Sequence, residues 1–323
     1  MKGGTVLEYV LDVKNVTKYF GKRRILNGIN LQVRPGEVMG FIGPNGAGKT
    51  TAIKVILGFL SDDGGEISIC GLNVKTDYEK AMGLVGGIVE NPDMYKQFSG
   101  RLNLEMYART HDNVPEGRID EVTAMVGLEN RINDKVKKYS LGMKQRLGLA
   151  MSMLHKPRLL ILDEPTNGLD PAGIKELRDI ILHLAHDEGV GVLISSHQLA
   201  EMQNLCDRAS IIVNGDIVAE DTLDALNFRV NGEPTHTFDV DDPMASIKII
   251  NDFFAETEAE GARHSARCDA STGSVIAAVD SAKIPEIVRR LAFAGVNIYG
   301  VKASKSTLED AFIAITGGGN TIA

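Results

Sequence analysis

The segment Gly43-Pro44-Asn45-Gly46-Ala47-Gly48-Lys49-Thr50 sits between an apolar run, Val38-Met39-Gly40-Phe41-Ile42, and Thr51-Ala52-Ile53-Lys54-Val55-Ile56-Leu57, whose apolar residues recur at helical spacing. The order is strand, loop, helix. Glycines let backbone N–H groups turn inward and approach phosphate oxygens, and the helix N-terminus behind them adds favourable partial charge. Lys49 is placed to reach β- and γ-phosphates, and the Thr50 hydroxyl to ligate Mg²⁺. From average residue usage, a chain of this length meets the pattern by chance in about one case in a hundred. With these flanks, a phosphate-cradling loop outweighs a glycine-rich turn carrying a stray lysine. The expected phosphate-binding set is Gly43, Asn45, Gly46, Ala47, Gly48, Lys49, Thr50 and Thr51.

The 323 residues suffice for two domains, and 43% hydrophobic content can fill a core in the larger one. A formal net charge of −8 and the lack of a Lys/Arg run as long as a nucleic-acid arm argue against nucleic acid, whose phosphate backbone calls for a basic face. Cys70, Cys206 and Cys268 are far apart with no paired spacing, which fits a reducing cytosol and does not fit zinc. The segment Met1–Val10 carries Glu8 and lacks the succession of a cleaved signal. No run approaches the roughly 18 to 20 apolar residues needed to cross a bilayer, so any membrane role is expected to be borrowed from a partner.

Strand-like runs at Val6–Val13, Gly28–Val33, Val38–Ile42 and Gly65–Ile69 are separated by turns such as Arg34-Pro35-Gly36-Glu37 and Asp62-Asp63-Gly64-Gly65. Such close turn spacing suggests an antiparallel layer near the phosphate loop. From about 91 to 155 the pattern becomes helical, at Leu102–Tyr107, Ile119–Val126 and Lys144–Leu154. Leu159–Leu162 and Val190–Ile194 are continuous apolar runs of the parallel-strand type, and Ile174–Ala185 between them reads as a crossover helix. The first 230 residues are therefore expected to form an α/β core with an antiparallel β layer and a helical insert.

A turn-rich junction, Asn231-Gly232-Glu233-Pro234, precedes a second domain at 231–323. Its expected elements are a strand (Thr235–Val240), a helix (Pro243–Phe254), two strands (Arg263–Cys268 and Ser274–Val279), a helix (Ile284–Ala294), a strand (Val296–Ala303) and a helix (Ser306–Thr316). Asp242-Pro243 makes a helix start, and Ile284, Ile287, Val288 and Leu291 form one apolar stripe stopped at Gly295. The first six elements follow the β-α-β-β-α-β order of a ferredoxin-like α+β unit.

Leu159-Leu160-Ile161-Leu162 runs into Asp163 and Glu164, two carboxylates at the end of a strand, where an open α/β sheet presents its ligand crevice. Asp163 can hold Mg²⁺, and Glu164 can orient and polarise an attacking water. Twenty-three positions before Asp163 (163 − 140), Tyr139-Ser140-Leu141-Gly142-Met143-Lys144-Gln145-Arg146 opens a helical run. Alone, its serine is an ordinary N-cap. In this order the eight residues resemble the signature motif of ATP-binding cassette (ABC) ATPases, with Leu141 and Met143 in place of the commoner glycine and glutamine.

Further elements of that family fall into line over about residues 6–225. Asn167-Gly168-Leu169-Asp170 resembles the D-loop, and His197 the switch histidine that contacts the γ-phosphate. Phe20, in Thr17-Lys18-Tyr19-Phe20-Gly21, resembles the aromatic that stacks on adenine, with Tyr19 as its rival. Where the family usually has glutamine, in the loop entering the helical insert, this chain has Glu90 in Ile88-Val89-Glu90-Asn91-Pro92. A carboxylate ligates Mg²⁺ more strongly than an amide but adds negative charge near the γ-phosphate. Glu90 and the variant signature together resemble the branch that exports bacitracin, lantibiotics and related peptides.

The resemblance implies catalytic roles for Lys49, Glu164 and His197, and Mg²⁺ held by Thr50, Asp163 and Glu90. It also implies ATP sandwiched head to tail between two cassettes, identical or related, with Ser140 and Gly142 closing from the opposite chain and Asp170 at the seam. Separate multi-span permease subunits and a position at the inner, cytoplasmic face of the membrane follow from the same resemblance, with residues 91–110 meeting a permease helix. A soluble mechanochemical ATPase acting on ribosomes or nucleic acid is the competing reading; one cassette, no long heptad insertion and no basic arm stand against it. The second domain is read either as a dimer-stabilising appendage or as a small-ligand sensor.

Overall fold

The computed structural model describes residues 8–90, 92–112, 114–226, 235–257, 265–269, 272–304 and 312. Backbone contacts divide the chain into two units, the first ending at Leu223 and the second beginning at Asp224. In chain order the first unit opens with β1 (Leu11–Phe20), β2 (Arg23–Val33), β3 (Val38–Ile42), α1 (Lys49–Ile56), β4 (Gly64–Ile69), β5 (Leu72–Asn73), α2 (Tyr78–Met82) and β6 (Val85–Ile88). It continues with α3 (Gly100–Ala108), α4 (Arg118–Met125), α5 (Leu141–Ser152), β7 (Leu159–Asp163), α6 (Pro171–Leu182), β8 (Gly191–Ser196), α7 (Leu199–Met202), β9 (Arg208–Val213) and β10 (Asp216–Thr222).

Two sheets result. An antiparallel layer has the order β2-β1-β4-β5, and a six-stranded sheet has the order β10-β9-β3-β8-β7-β6. Every residue of β3, β7 and β8 is buried, which is why these strands read as continuous apolar runs rather than alternating ones. Here β3 departs from the expectation that grouped it with the antiparallel runs, since it pairs parallel with both β8 and β9. Ala52, Ile53, Val55 and Ile56 of α1 are buried in the core that also holds Val13, Leu31 and Ile67 of the antiparallel layer. Burial of each such Val or Ile is worth about 1.5–3 kcal/mol, which anchors the helix that carries the phosphate loop.

The antiparallel strands are longer than their apolar runs. β1 begins at Leu11, beyond the expected Val6, and continues to Phe20 through a register shift near Asn15, whose φ is +48°. A bulge of this kind carries a strand past polar residues that break the alternation. β2 begins at Arg23, because Phe20 pairs with Arg23 across a two-residue turn. The helical insert contains α3, α4 and α5, and α5 lies close on β6: a Cβ at Gly86 would come 2.2 Å from the Ser152 carbonyl oxygen.

The second unit contains β11 (Thr235–Val240), α8 (Pro243–Thr257), β12 (Arg267–Cys268), β13 (Val275–Ala278), α9 (Ile284–Phe293) and β14 (Ile298–Ser304). Its sheet order is β12-β13-β11-β14 with every pair antiparallel. That is the split β-α-β arrangement expected from the element order, with both helices packed on one face through Ile250, Phe253, Phe254, Ile287 and Leu291. β12 is two residues long and β14 starts at Ile298 rather than Val296. The junction at 231–234, the strand start at Arg263 and, apart from Phe312, the helix expected at Ser306–Thr316 lie outside the described residues. Among the described residues, no helix is long and apolar enough to cross a membrane.

Candidate nucleotide site

The carboxyl ends of β3, β8 and β7 lie level, because Ile42 is in register with Ser196 and Asp163 with Ser195. Residues following these three strands therefore converge on one edge of the sheet, the usual ligand crevice of such sheets. The phosphate loop leaves β3 at Gly43, where a Cβ would come 2.3 Å from the Ile212 carbonyl oxygen. Gly46 and Gly48 then take φ of +79° and +113°, left-handed values that side chains resist.

Lys49 opens α1 and is only 5% exposed. Its Nζ donates to the carbonyl oxygens of Gly43 at 2.6 Å and Pro44 at 3.3 Å, and lies 3.2 Å from Glu164 Oε1. A buried ammonium demands such partners. The other Glu164 oxygen, Oε2, is 2.8 Å from His197 Nδ1. An ionised carboxylate can only accept, so Nδ1 carries the proton of that contact. Phosphate loop, carboxylate and histidine are thus joined in one polar network.

The phosphate loop and Glu164 face a cleft of about 380 Å³ lined by Phe20, Asn45, Lys49, Thr50, Thr51 and Glu164, with Gly46 and Gly48 also on its wall, and His197 reaches it only through Glu164. Phe20 is half-exposed at the rim, whereas Tyr19 lies against the Arg24 guanidinium, 5.8 Å from its ring centroid, and does not line the cleft. Asp163 is buried behind Glu164, and its Oδ1 accepts from Ser195 Oγ at 2.5 Å. The Thr50 hydroxyl and the Asp163 carboxylate are hard oxygen donors, the type that Mg²⁺ takes. A triphosphate with its cation fits this donor set: N–H groups and an ammonium for the phosphates, oxygens for the metal.

Ser140, Gly142, Asp170 and Glu90 are not brought into that cleft. Ser140 caps α5, its Oγ accepting from the Met143 N–H at 3.2 Å, and Asp170 caps α6, its Oδ1 accepting from the Gly173 N–H at 2.9 Å. A Cβ at Gly142 would lie 3.9 Å from Leu169 Cδ2 and 4.0 Å from Gly173 Cα, so the signature and the D-loop share a surface of their own. Glu90 is exposed, with φ of +63°, and pairs with Lys54 of α1 at 2.8 Å. The Lys54 hydrogen bond, and then its charge, hold the Glu90 carboxyl below the usual range.

The sequence expectation left out Arg23 and Ile25 of the cleft wall, and Ser195 behind it. The signal for Arg23 was a cation three residues after Phe20. Ser195 touches both Asp163 and Glu164. Nothing local marks it, since it looks like one more small residue in an apolar strand.

A sequence model described as "ABC transporter" matches residues 26–167. The chain is 41% identical to the uncharacterized ABC transporter ATP-binding protein YhcH of Bacillus subtilis (strain 168), over 96% of this chain and 97% of that protein. It is 36% identical to the bacitracin transport ATP-binding protein BcrA of Enterococcus faecalis, over 97% of this chain and 98% of that protein. Among solved structures, an ATP-binding subunit of an ABC transporter superposes with a TM-score of 0.62 at 31% identity, covering 68% of this chain and 92% of that one.

Proposed function

This chain belongs to the ABC transporter family as an ATP-binding, ATP-hydrolysing subunit, and we propose that it energises export of peptide antibiotics or related drugs through separate membrane-spanning subunits. The observation that carries the reading is the Glu164 carboxylate on the wall of the cleft, one oxygen against Lys49 of the phosphate loop and the other against His197. The similarity to BcrA along nearly its whole length supports the cargo class.

Lys49 and backbone N–H groups between Asn45 and Thr50 hold the β- and γ-phosphates, and Phe20 stacks on the adenine. Thr50, Asp163 and Glu90 would hold Mg²⁺, which would offset negative charge on the phosphates. Glu164 orients the attacking water and accepts its proton, and His197 fixes the rotamer of Glu164 through Nδ1. A second cassette, identical or related, supplies Ser140 and Gly142 to the γ-phosphate, with Asp170 at the seam. Loss of that phosphate on hydrolysis removes the bridge between the halves, and the dimer loosens.

The permease meets the helical insert on residues 91–110, at the inner face of the membrane. The second unit stabilises the cassette dimer; removing 235–323 should lower the dimer fraction and leave ATP affinity of the monomer unchanged. A changed ATPase rate with unchanged dimerisation would instead make it a sensor. The partner assignment is tested by purifying the tagged chain from detergent-solubilised membranes. Stoichiometric recovery of a multi-span protein is expected, and recovery with ribosomes or DNA would contradict the assignment.

A further inference from the structure

Ser195 is fully buried near the end of β8, between β3 and β7. A buried hydroxyl must find partners, and an ordinary core serine returns to a carbonyl of its own strand or helix. Ser195 does otherwise. Its Oγ donates to Asp163 Oδ1 at 2.5 Å and accepts from the Glu164 N–H at 3.0 Å. The Ser195 carbonyl oxygen accepts from the same N–H at 3.2 Å.

The second contact falls on a strained residue. Glu164 has φ of +50°, a conformation that a non-glycine residue keeps only where its surroundings impose it. This bend is where the chain turns out of β7, and it aims the Glu164 carboxylate between Lys49 and His197. Two oxygens of one serine hold the N–H of the bend. Two residues further along, the same strand end delivers His197 to the same carboxylate.

We propose that Ser195 is the positioning residue of the hydrolytic site: its hydroxyl fixes the Asp163 carboxylate and the bent backbone of Glu164 together, and ties both to the strand end that carries His197. The inference rests on the roles of Asp163 and Glu164 given above. Removing the hydroxyl takes from Asp163 the hydrogen bond of Ser195 and leaves Glu164 with one acceptor fewer, so metal affinity and turnover fall while the phosphate loop is untouched.

Ser195→Thr and Ser195→Val test this, because they differ from each other by a hydroxyl against a methyl in the same space. Three quantities are measured: Mn²⁺ affinity in the presence of ADP by electron paramagnetic resonance, nucleotide affinity in EDTA, and kcat with KM for ATP. Loss of an outer partner of a metal ligand typically costs about 10- to 100-fold in metal affinity or activity. Val is expected to lose that much in Mn²⁺ affinity and kcat relative to Thr, with nucleotide affinity in EDTA equal within about twofold. Equal values for Thr and Val overturn the proposal, and so does an equal loss of nucleotide binding in EDTA, which would make Ser195 a packing residue. If Val fails to fold, Ser195→Cys, similar in shape and a weak donor, takes its place under the same criterion. A wild-type chain that binds Mn²⁺ with ADP and never hydrolyses ATP would count against the role of Glu164, and the Mn²⁺ comparison would still decide that of Ser195.

Discussion

The Lys49 ammonium lies 3.2 Å from the Glu164 carboxylate, so opposite charges join the helix behind the phosphate loop to the end of the strand that carries both carboxylates. The two have only 5% and 18% of their side-chain surface exposed, which places the pair in a setting where charge is felt strongly. On the roles proposed above, an incoming triphosphate would compete with Glu164 for Lys49 and so free the carboxylate for water.

Lys49→Ala removes charge-assisted hydrogen bonds worth about 1.5–3 kcal/mol and should weaken ATP binding roughly 10- to 100-fold. Titration calorimetry or displacement of a fluorescent nucleotide reads this directly. Binding within twofold of the wild type would remove Lys49 from the phosphate site.

Glu90→Gln should leave thermal stability unchanged, because its pair with Lys54 is solvent-exposed and such pairs contribute little. The Mg²⁺ concentration giving half-maximal hydrolysis should instead rise, by about 3- to 10-fold, if the carboxylate joins the metal during turnover. An unchanged Mg²⁺ requirement would confine Glu90 to its contact with Lys54.

His155 stacks on His111 with ring centroids 4.2 Å apart, and its Nε2 meets the Val85 carbonyl oxygen at 3.0 Å. Burial, and then the charge of His111, hold the His155 pKa below its ordinary value of 6.5. The unfolded chain therefore takes up the proton first: as pH falls below about 6.5, stability is lost progressively until the folded pKa is passed. His155→Gln keeps a donor for Val85 and should flatten this dependence. Urea unfolding at pH 7.5 and pH 5.5 checks it, and equal slopes for the two proteins would rule out His155 as the source.

The phosphate loop was legible because its chemistry is contiguous: glycines, lysine and threonine act where they stand in sequence. Asp163, Glu164 and His197 were legible by resemblance, each closing an apolar run. The strands β6, β9 and β10 were not. β6 is four residues long and its centre is Gly86, kept small by the approach of Ser152, and Gly87, so only Val85 and Ile88 supply β-branched bulk. β9 and β10 are interrupted by Arg208, Asp216, Glu220 and Asp221, yet Asn214-Gly215 between them, both at positive φ, is a hairpin signal that the sequence did contain. Ser195 was illegible for a different reason: its role exists only through cross-strand register with Asp163, which no local pattern encodes.

Glu164→Gln keeps the shape of the side chain and removes the carboxylate that would accept a proton from water. General-base loss of this kind costs about 100- to 10,000-fold in turnover, so ATP persists once bound. Light scattering on this variant, in MgATP and then in MgADP, reads whether the nucleotide joins two cassettes. A dimer mass in MgATP and a monomer mass in MgADP are expected. A monomer mass in both, at saturating nucleotide, would contradict the head-to-tail site to which Ser140, Gly142 and Asp170 are assigned.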